Sequence, residues 1–232
     1  MLAITLGMVQ SRSMSEYLHD TTKAVIFDHD DTLVGTIEAK WAQHKHTAKT
    51  WYDKELTHEE IKLHWGKPLR TLVSLLYETD DVDLAFERIM GVHTDFPKLL
   101  LPDTLPTLNV LQDAGLTLGL VTATSRFSLE HDLENLAIPP ELFGYIQTEE
   151  DTNFHKPDAR VFDPAKRWLD SQGIAPHEVT YVGDGLHDAK VAQDNGFNFV
   201  GVETGLVTKE MFVDAGFISI SSLSKLISSK NI

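Results

Sequence analysis

The segment Lys23-Ala24-Val25-Ile26-Phe27 runs directly into Asp28-His29-Asp30-Asp31-Thr32, and this junction decides the predicted fold. A short β-branched and aromatic run without polar alternation is typical of a strand covered on both faces, as in a parallel sheet. Similar runs recur in the second half of the chain, at 116–121, 145–147, 179–182 and 197–202. Helical stretches alternate with them, at 107–114, 158–172 and 186–195, and each stops at a glycine. The alternation predicts an α/β fold with a doubly wound, Rossmann-like parallel sheet.

The strand pattern disappears between residues 36 and 104. Ile37, Trp41 and Ala48 fall on one helical face, and Thr57 begins a capping-box sequence that ends at Glu60. A helical block placed directly after the first strand predicts an inserted all-helical cap subdomain over 36–104, with a catalytic core formed by 21–35 and 105–232.

The two ends of the chain carry weaker signals. Residues 1–20 are expected to form a loose leader before the fold, with disorder as an open alternative. The serine-rich stretch 219–230 has apolar spacing that predicts a final helix.

Composition excludes several classes of protein. With 20 Lys and Arg against 35 Asp and Glu, the net charge is −15, which disfavours binding to nucleic acid or to an anionic membrane. No run approaches the roughly 20 apolar residues of a membrane span. The chain has no cysteine, which excludes disulfides and thiol nucleophiles and fits a cytoplasmic location. A monomer and a homodimer both remain open.

Polar residues stand where the predicted strands end. They are Asp28 and Asp30 after the first strand, Thr122 and Asp184 after later ones, and Lys156 in a loop. Each alone could simply cap a helix or lie in solvent. Together they would meet at one edge of the sheet, where crowded carboxylates require a cation. Hard oxygen ligands favour Mg²⁺, and the lysine and hydroxyl could hold a phosphate whose phosphorus a carboxylate attacks.

Four motifs in order resemble the haloacid dehalogenase-like (HAD) hydrolase superfamily, in the branch with a helical cap that includes phosphoglycolate phosphatase and β-phosphoglucomutase. The motif Asp-x-Asp-x-Thr matches Asp28-His29-Asp30-Asp31-Thr32, and a strand ending in Thr matches Leu118-Gly119-Leu120-Val121-Thr122. Lys-Pro matches Lys156-Pro157, and Gly-Asp-x-x-x-Asp matches Gly183-Asp184-Gly185-Leu186-His187-Asp188. The resemblance extends from about residue 23 to the C-terminus.

The resemblance implies a role for each matching residue. Asp28 would be the nucleophile and a Mg²⁺ ligand, and Asp184 would complete the metal site. Asp30 would be the general acid and then the base for water, with its backbone carbonyl on the metal, so Asp30 must start protonated. Thr122 and Lys156 would hold the phosphoryl oxygens.

Other positions have a second interpretation or depart from the pattern. Asp188 would hold Lys156 or a metal-bound water, although an acid in a first helical turn is also favoured by the helix dipole. Asp31 stands where the family commonly has Gly, and Asp tolerates unusual backbone angles. Ala123 stands where a side-chain donor is frequent.

The predicted cap carries candidate substrate contacts. Lys67 and Arg70 lie in a segment that resembles the specificity loop of phosphoglycolate phosphatases, where they could meet an anionic group of the substrate. The alternative is that both are solvated surface cations.

The resulting hypothesis is a Mg²⁺-dependent phosphatase that hydrolyses a small phosphorylated metabolite, similar to phosphoglycolate or a sugar phosphate, through an aspartyl-phosphate. One alternative keeps the site but makes the chain a β-phosphoglucomutase-like mutase. A different class, the phospho-accepting receiver domain, combines similar residues, but the Asp-x-Asp pair on the first strand argues against it.

Overall fold

The computed structural model describes residues 15–228, and the chain divides into two compact units. We call Met1–Leu33 with Leu101–Ile232 the sheet unit and Val34–Leu100 the helical unit. Of the predicted leader, residues 1–14 lie outside the described residues, whereas Ser15 and Leu18 are buried.

The elements alternate much as the sequence predicts. The strands are β1 (Ala24–Phe27), β2 (Val34–Gly35), β3 (Leu99–Leu100), β4 (Thr117–Val121), β5 (Tyr145–Gln147), β6 (Val179–Gly183), β7 (Asn198–Val202) and β8 (Ser219–Ile220). The α-helices are α1 (Ile37–Tyr52), α2 (His58–His64), α3 (Leu69–Tyr77), α4 (Val82–Gly91), α5 (Thr104–Asp113), α6 (Arg126–Asn135), α7 (Asp163–Ser171), α8 (Leu186–Asp194) and α9 (Lys209–Asp214).

The sheet unit is built on a six-stranded sheet with the order β5-β4-β1-β6-β7-β8. Its strand pairs are all parallel, and Ala24 of β1 lies opposite Thr117 of β4 and Val179 of β6. Every residue of β1 is fully buried, as expected of a central parallel strand. The predicted α/β class with a doubly wound parallel sheet is therefore confirmed.

One prediction about the second half of the chain is wrong, and a second is confirmed in extent but differs in the type of helix. The described part of the predicted final helix, 219–228, is not one helix, because Ile220 of β8 pairs with Val202 of β7 and a 3₁₀ turn, Leu223–Ile227, follows. A two-residue edge strand is too short to produce an alternating pattern. The predicted helical stretch 158–172 consists of a 3₁₀ helix, Ala159–Phe162, followed directly by the α-helix that begins at Asp163, with Pro164 in its first turn.

The helical unit contains α1–α4 and a short antiparallel pair, β2 with β3. This pair joins the residues at which the unit begins and ends, and its two-residue strands carry no periodic signal. The predicted capping box is present, since Thr57 Oγ1 accepts from the Glu60 N–H and the Thr57 N–H donates to the Glu60 carboxylate at 2.7 Å. Helix α3 buries one apolar face, made of Leu72, Val73, Leu76 and Tyr77.

Within residues 15–228, none of the helices combines the length and the apolar character needed to cross a bilayer.

Candidate active site

The predicted site residues follow strands at the point where the strand order of the sheet reverses. Central β1 lies between β4 and β6, and the carboxyl ends of these strands carry Asp28, Thr122 and Asp184. The Asp28 N–H donates to the Val182 carbonyl of β6 at 2.9 Å, which holds the start of the loop against its neighbour. A crevice of this kind is where open α/β sheets bind ligands.

Lys156 lies between two carboxylates. Its Nζ is 3.1 Å from Asp28 Oδ2 and 2.7 Å from Asp188 Oδ1, and all three side chains are almost completely buried. Burial alone would lower the pKa of Lys156, but the charges of Asp188 and Asp28 outweigh burial and raise it. Lys156 is therefore a permanent buried cation, positioned against the predicted nucleophile.

The two carboxylates respond differently to their surroundings. Burial raises the pKa of Asp28 more than the charge of Lys156 lowers it. Burial also acts to raise the pKa of Asp188, but Lys156, His187 and a hydrogen bond from the Gly185 N–H outweigh it and lower that pKa. Asp188 is thus the firmly ionised partner of Lys156.

Asp184 completes an acidic cluster. Carboxylate oxygens of Asp28, Asp184 and Asp188 all lie within 4.8 Å of one another. Burial, followed by the charges of Asp188 and Asp28, raises the pKa of Asp184 to about 9. Full ionisation of this cluster therefore requires more positive charge than Lys156 supplies, so the donor set fits a hard divalent cation. The side chain of Asp30 is not in this cluster; the resemblance assigns its backbone carbonyl to the metal.

A loop after β7 lies against Asp184. A Cβ atom at Gly205 would come within 1.9 Å of Asp184 Oδ2, so a side chain there would displace the carboxylate. The neighbouring Thr204 hydroxyl donates to the Asp31 carbonyl at 2.5 Å. Asp31 itself has a positive φ of 55°, which explains why Asp is accepted where the family commonly has Gly.

Tyr181 of β6 is a buried polar residue that sequence reasoning missed. Its hydroxyl accepts from Lys156 Nζ at 2.6 Å and donates to Asp188 Oδ1 at 3.2 Å. Burial, together with the charges of Asp188 and Asp28, raises the pKa of Tyr181, which keeps its hydroxyl protonated as a donor. An aromatic residue inside a strand is normally read as core, so no sequence signal pointed to this role.

Asp30 and Thr122 are brought together by Thr124. The Thr124 hydroxyl donates to Asp30 Oδ2 at 2.7 Å, and the Thr124 N–H donates to Thr122 Oγ1 at 3.0 Å. Thr122 and Lys156 also line one small pocket, with Ala123, Thr148 and Phe154.

His29, between the two predicted catalytic carboxylates, is fully buried. Its Nε2 is 3.0 Å from Asp132 Oδ2 on α6, which ties the loop after β1 to the helix after β4. The sequence gives no indication of this pair, because the partners are 103 residues apart.

The candidate substrate residues Lys67 and Arg70 belong to the helical unit, and both are exposed. Arg70 donates to Asp83 at 2.5 Å, and Lys67 Nζ lies 3.3 Å from His64 Nδ1. Their role in substrate binding stays a prediction.

Known proteins resemble this chain in sequence and in fold. The family model described as haloacid dehalogenase-like hydrolase matches residues 25–202, which include every motif described above. The chain belongs to the haloacid dehalogenase-like hydrolase family. The predicted family, and the prediction that the chain is an enzyme of this HAD-like hydrolase type, are confirmed.

Relatives of this HAD-like hydrolase include a pyrophosphatase PpaX from Bacillus pumilus. It is 31% identical over 192 residues, which cover 82% of this chain and 87% of the relative. A similar solved structure is described as a haloacid dehalogenase-like hydrolase from Bacteroides fragilis, with a TM-score of 0.75, 28% identity and coverage of 89% and 100% of the two chains. A haloacid dehalogenase-like family protein from Streptococcus pneumoniae shares the fold, with a TM-score of 0.74, 19% identity and coverage of 90% and 98%.

Proposed function

We propose that this chain is a Mg²⁺-dependent phosphatase that hydrolyses a small phosphorylated metabolite through an aspartyl-phosphate on Asp28. The observation that carries the proposal is the placement of Lys156 Nζ 3.1 Å from Asp28 Oδ2, beside a cluster of three carboxylates. Phosphoryl transfer to a carboxylate requires positive charge beside the nucleophile. Lys156 supplies one such charge, and the excess of negative charge around it would hold a divalent cation that supplies the rest.

Asp28 and Asp184 would hold Mg²⁺, with the backbone carbonyl of Asp30. The ion would offset the charges of the carboxylates and of the phosphoryl oxygens, so that an anionic nucleophile can approach an anionic substrate. Asp188 would remain the partner of Lys156, as its 2.7 Å contact supports.

The chain's own residues would act in two steps. A carboxylate oxygen of Asp28 attacks phosphorus, the ester bond breaks, and the leaving alkoxide takes a proton from Asp30. Water then attacks the phosphorus of the aspartyl-phosphate, Asp30 takes the proton of that water, and inorganic phosphate leaves with Asp28 restored. Thr122 and Lys156 would hold the phosphoryl oxygens throughout.

The curated relative named pyrophosphatase makes inorganic pyrophosphate a candidate substrate beside phosphoglycolate and sugar phosphates. Lys67 and Arg70 of the helical unit would contact an anionic part of the substrate.

We further propose a cytoplasmic location, which the absence of cysteine supports.

Phosphate release from pyrophosphate, phosphoglycolate, hexose phosphates and p-nitrophenyl phosphate tests the activity, with and without a chelator of Mg²⁺. Asp28→Asn should lower turnover at least about a thousandfold with an unchanged circular dichroism spectrum. Asp113→Asn, an exposed change at the end of α5, is the matched control. An Asp28→Asn enzyme with wild-type turnover would refute the nucleophile. A hexose 1-phosphate converted to its isomer, without phosphate release, would favour the mutase.

A further inference from the structure

We propose that Thr124 is a positioning residue that sets the side chains of Asp30 and Thr122 for the two steps above. The inference rests on the proposed function, since it concerns the same site. Nothing in the sequence marks Thr124, which lies two residues beyond the matched motif.

All of the polar groups of Thr124 are engaged. Its N–H donates to Thr122 Oγ1 at 3.0 Å, its hydroxyl donates to Asp30 Oδ2 at 2.7 Å, and its carbonyl accepts from the Glu149 N–H at 3.2 Å. One residue therefore connects the proposed acid, the proposed phosphate ligand and the loop after β5.

The surrounding loop is anchored independently of this side chain. The Arg126 N–H donates to the Glu150 carboxylate at 3.0 Å, and the Arg126 guanidinium donates to both oxygens of Asp151 at 2.7 and 2.8 Å. Removal of the Thr124 hydroxyl should therefore leave the backbone and its bond to Thr122 in place and release only the side chain of Asp30.

The Thr124 N–H occupies one lone pair of the Thr122 hydroxyl. A threonine oxygen has two lone pairs and one proton. Because Thr122 Oγ1 accepts from the Thr124 N–H, its own proton is available to donate, and a phosphoryl oxygen is an acceptor without protons to give. The arrangement suits a phosphate ligand.

A bond donated by the Thr124 hydroxyl would favour the proton of Asp30 on the oxygen that this hydroxyl does not contact. A hydroxyl that donates to Oδ2 requires Oδ2 to be an acceptor, so the proton that Asp30 gives to the leaving alkoxide would reside on Oδ1. The terminal torsion of an Asp side chain is otherwise broad and twofold, so both orientations are accessible without such a bond. Thr124 would thus keep one orientation through the donation and the return of the proton.

The test separates proton transfer from general damage by the choice of leaving group. Thr124→Val keeps the shape and removes the hydroxyl, Thr124→Ser keeps the hydroxyl, and Thr124→Ala is a second deletion in case the valine does not fold. Thr22→Val is the matched control, because it removes a hydroxyl that lies 3.3 Å from Thr180 Oγ1, before β1 and away from the site.

The first substrate is an alkyl phosphate that the wild type hydrolyses. In single-turnover experiments, we expect Thr124→Val to slow phosphoryl transfer from this ester by about 10-fold to 100-fold. Transfer from p-nitrophenyl phosphate should be nearly unchanged, because nitrophenolate leaves without a proton. Slow loss of the aspartyl-phosphate should then produce a burst of nitrophenolate. Thr124→Ser should restore most of the rate on the alkyl ester, and Thr22→Val should match the wild type.

An equal loss of the first step on both esters, or a Thr124→Val enzyme identical to the wild type, would overturn the positioning role while leaving the proposed function standing. A wild-type protein that releases phosphate from neither ester would instead overturn the proposed function, and this inference with it.

Discussion

The two units differ in where their charged side chains lie. In the sheet unit, Lys156 and its partners Asp28 and Asp188 have side chains that are 6%, 10% and 0% exposed. In the helical unit, the pair formed by Arg70 and Asp83 has side chains that are 58% and 86% exposed. The interior of the helical unit instead contains neutral polar groups, such as His44, whose Nδ1 lies 2.8 Å from the Tyr77 hydroxyl.

This contrast supports the proposed location of the chemistry in the sheet unit. Taking charges out of water costs free energy, and a buried ion pair recovers that cost only partly. Buried groups with displaced pKa values therefore concentrate at functional sites. The ion pair of Arg70 with Asp83 in the helical unit avoids this cost, because both side chains stay at the surface.

The sharpest test of the contrast removes the buried cation. Lys156→Met should lower the free energy of unfolding by about 3–5 kcal/mol without added Mg²⁺, because two buried carboxylates lose their partner. Lys190→Met, which breaks a surface pair with Asp194, should cost less than about 1 kcal/mol. Urea unfolding measures both. Equal losses in the two variants would show that the Lys156 pair is energetically no different from a surface pair.

The pH dependence of the metal-free sheet unit is the next test. The pKa of Asp184 rises from its ordinary 3.8 to about 9, so between these values the folded chain keeps a proton that the unfolded chain releases. Stability should therefore fall as the pH rises across this window, and the burial-raised pKa of Asp28 acts in the same direction. Urea midpoints at pH 5, 7 and 9 in chelator should decrease, and Asp184→Asn should flatten the decrease. Binding of Mg²⁺ should oppose the decrease in the wild type, because it raises the free energy of unfolding by about 2.7 kcal/mol at a free Mg²⁺ concentration of a hundred times its Kd. A wild-type midpoint that rises with pH would contradict the burial argument.

The helical unit should respond to pH with the opposite sign. Burial, and then the charge of Lys40, lowers the pKa of His44 from 6.5 to about 4. Between these pH values the unfolded chain binds a proton at His44 that the folded unit does not bind. Stability of this unit should fall by up to about 3 kcal/mol as the pH drops from 6.5 to 4. Hydrogen exchange in α1 and α3, corrected for the intrinsic rate, would report the change. His44→Phe should remove the dependence, and an unchanged slope in that variant would assign it to another group.

The smallest effects are expected from the surface cations of the helical unit. Arg70→Ala and Lys67→Ala should each change the free energy of unfolding by less than about 1 kcal/mol. As proposed substrate contacts, they should raise KM for a substrate with a second anionic group and leave p-nitrophenyl phosphate turnover nearly unchanged. An unaltered KM for both kinds of substrate would show that these residues are solvated surface cations without a role in substrate binding.

Much of the site follows from local sequence patterns. The strands that precede Asp28, Thr122 and Asp184 are predictable because buried parallel strands are continuously apolar and end abruptly at polar residues. The alternation with helices then places those ends on one edge of the sheet. The glycine that follows each helical stretch is also a local signal, and the structure gives Gly115, Gly173 and Gly196 positive φ angles.

The supporting residues could not be predicted in this way. Thr124 lies 94 residues from the Asp30 that it contacts, and Tyr181 meets Lys156 across 25 residues. Gly205 is needed only because another loop places Asp184 beside it. Contacts between residues so far apart in the sequence produce no periodic residue pattern, since they depend on how separate elements pack.

The order and nature of the proposed reacting groups were thus encoded locally, in short apolar runs followed by an acid or a hydroxyl and in a lysine before a proline. Packing alone decided how those groups behave, because the pKa of a carboxylate depends on the solvent it loses and on the charges that distant segments bring near it. For this reason Asp184 and Asp188, four positions apart on one loop and helix, end with pKa values displaced in opposite directions.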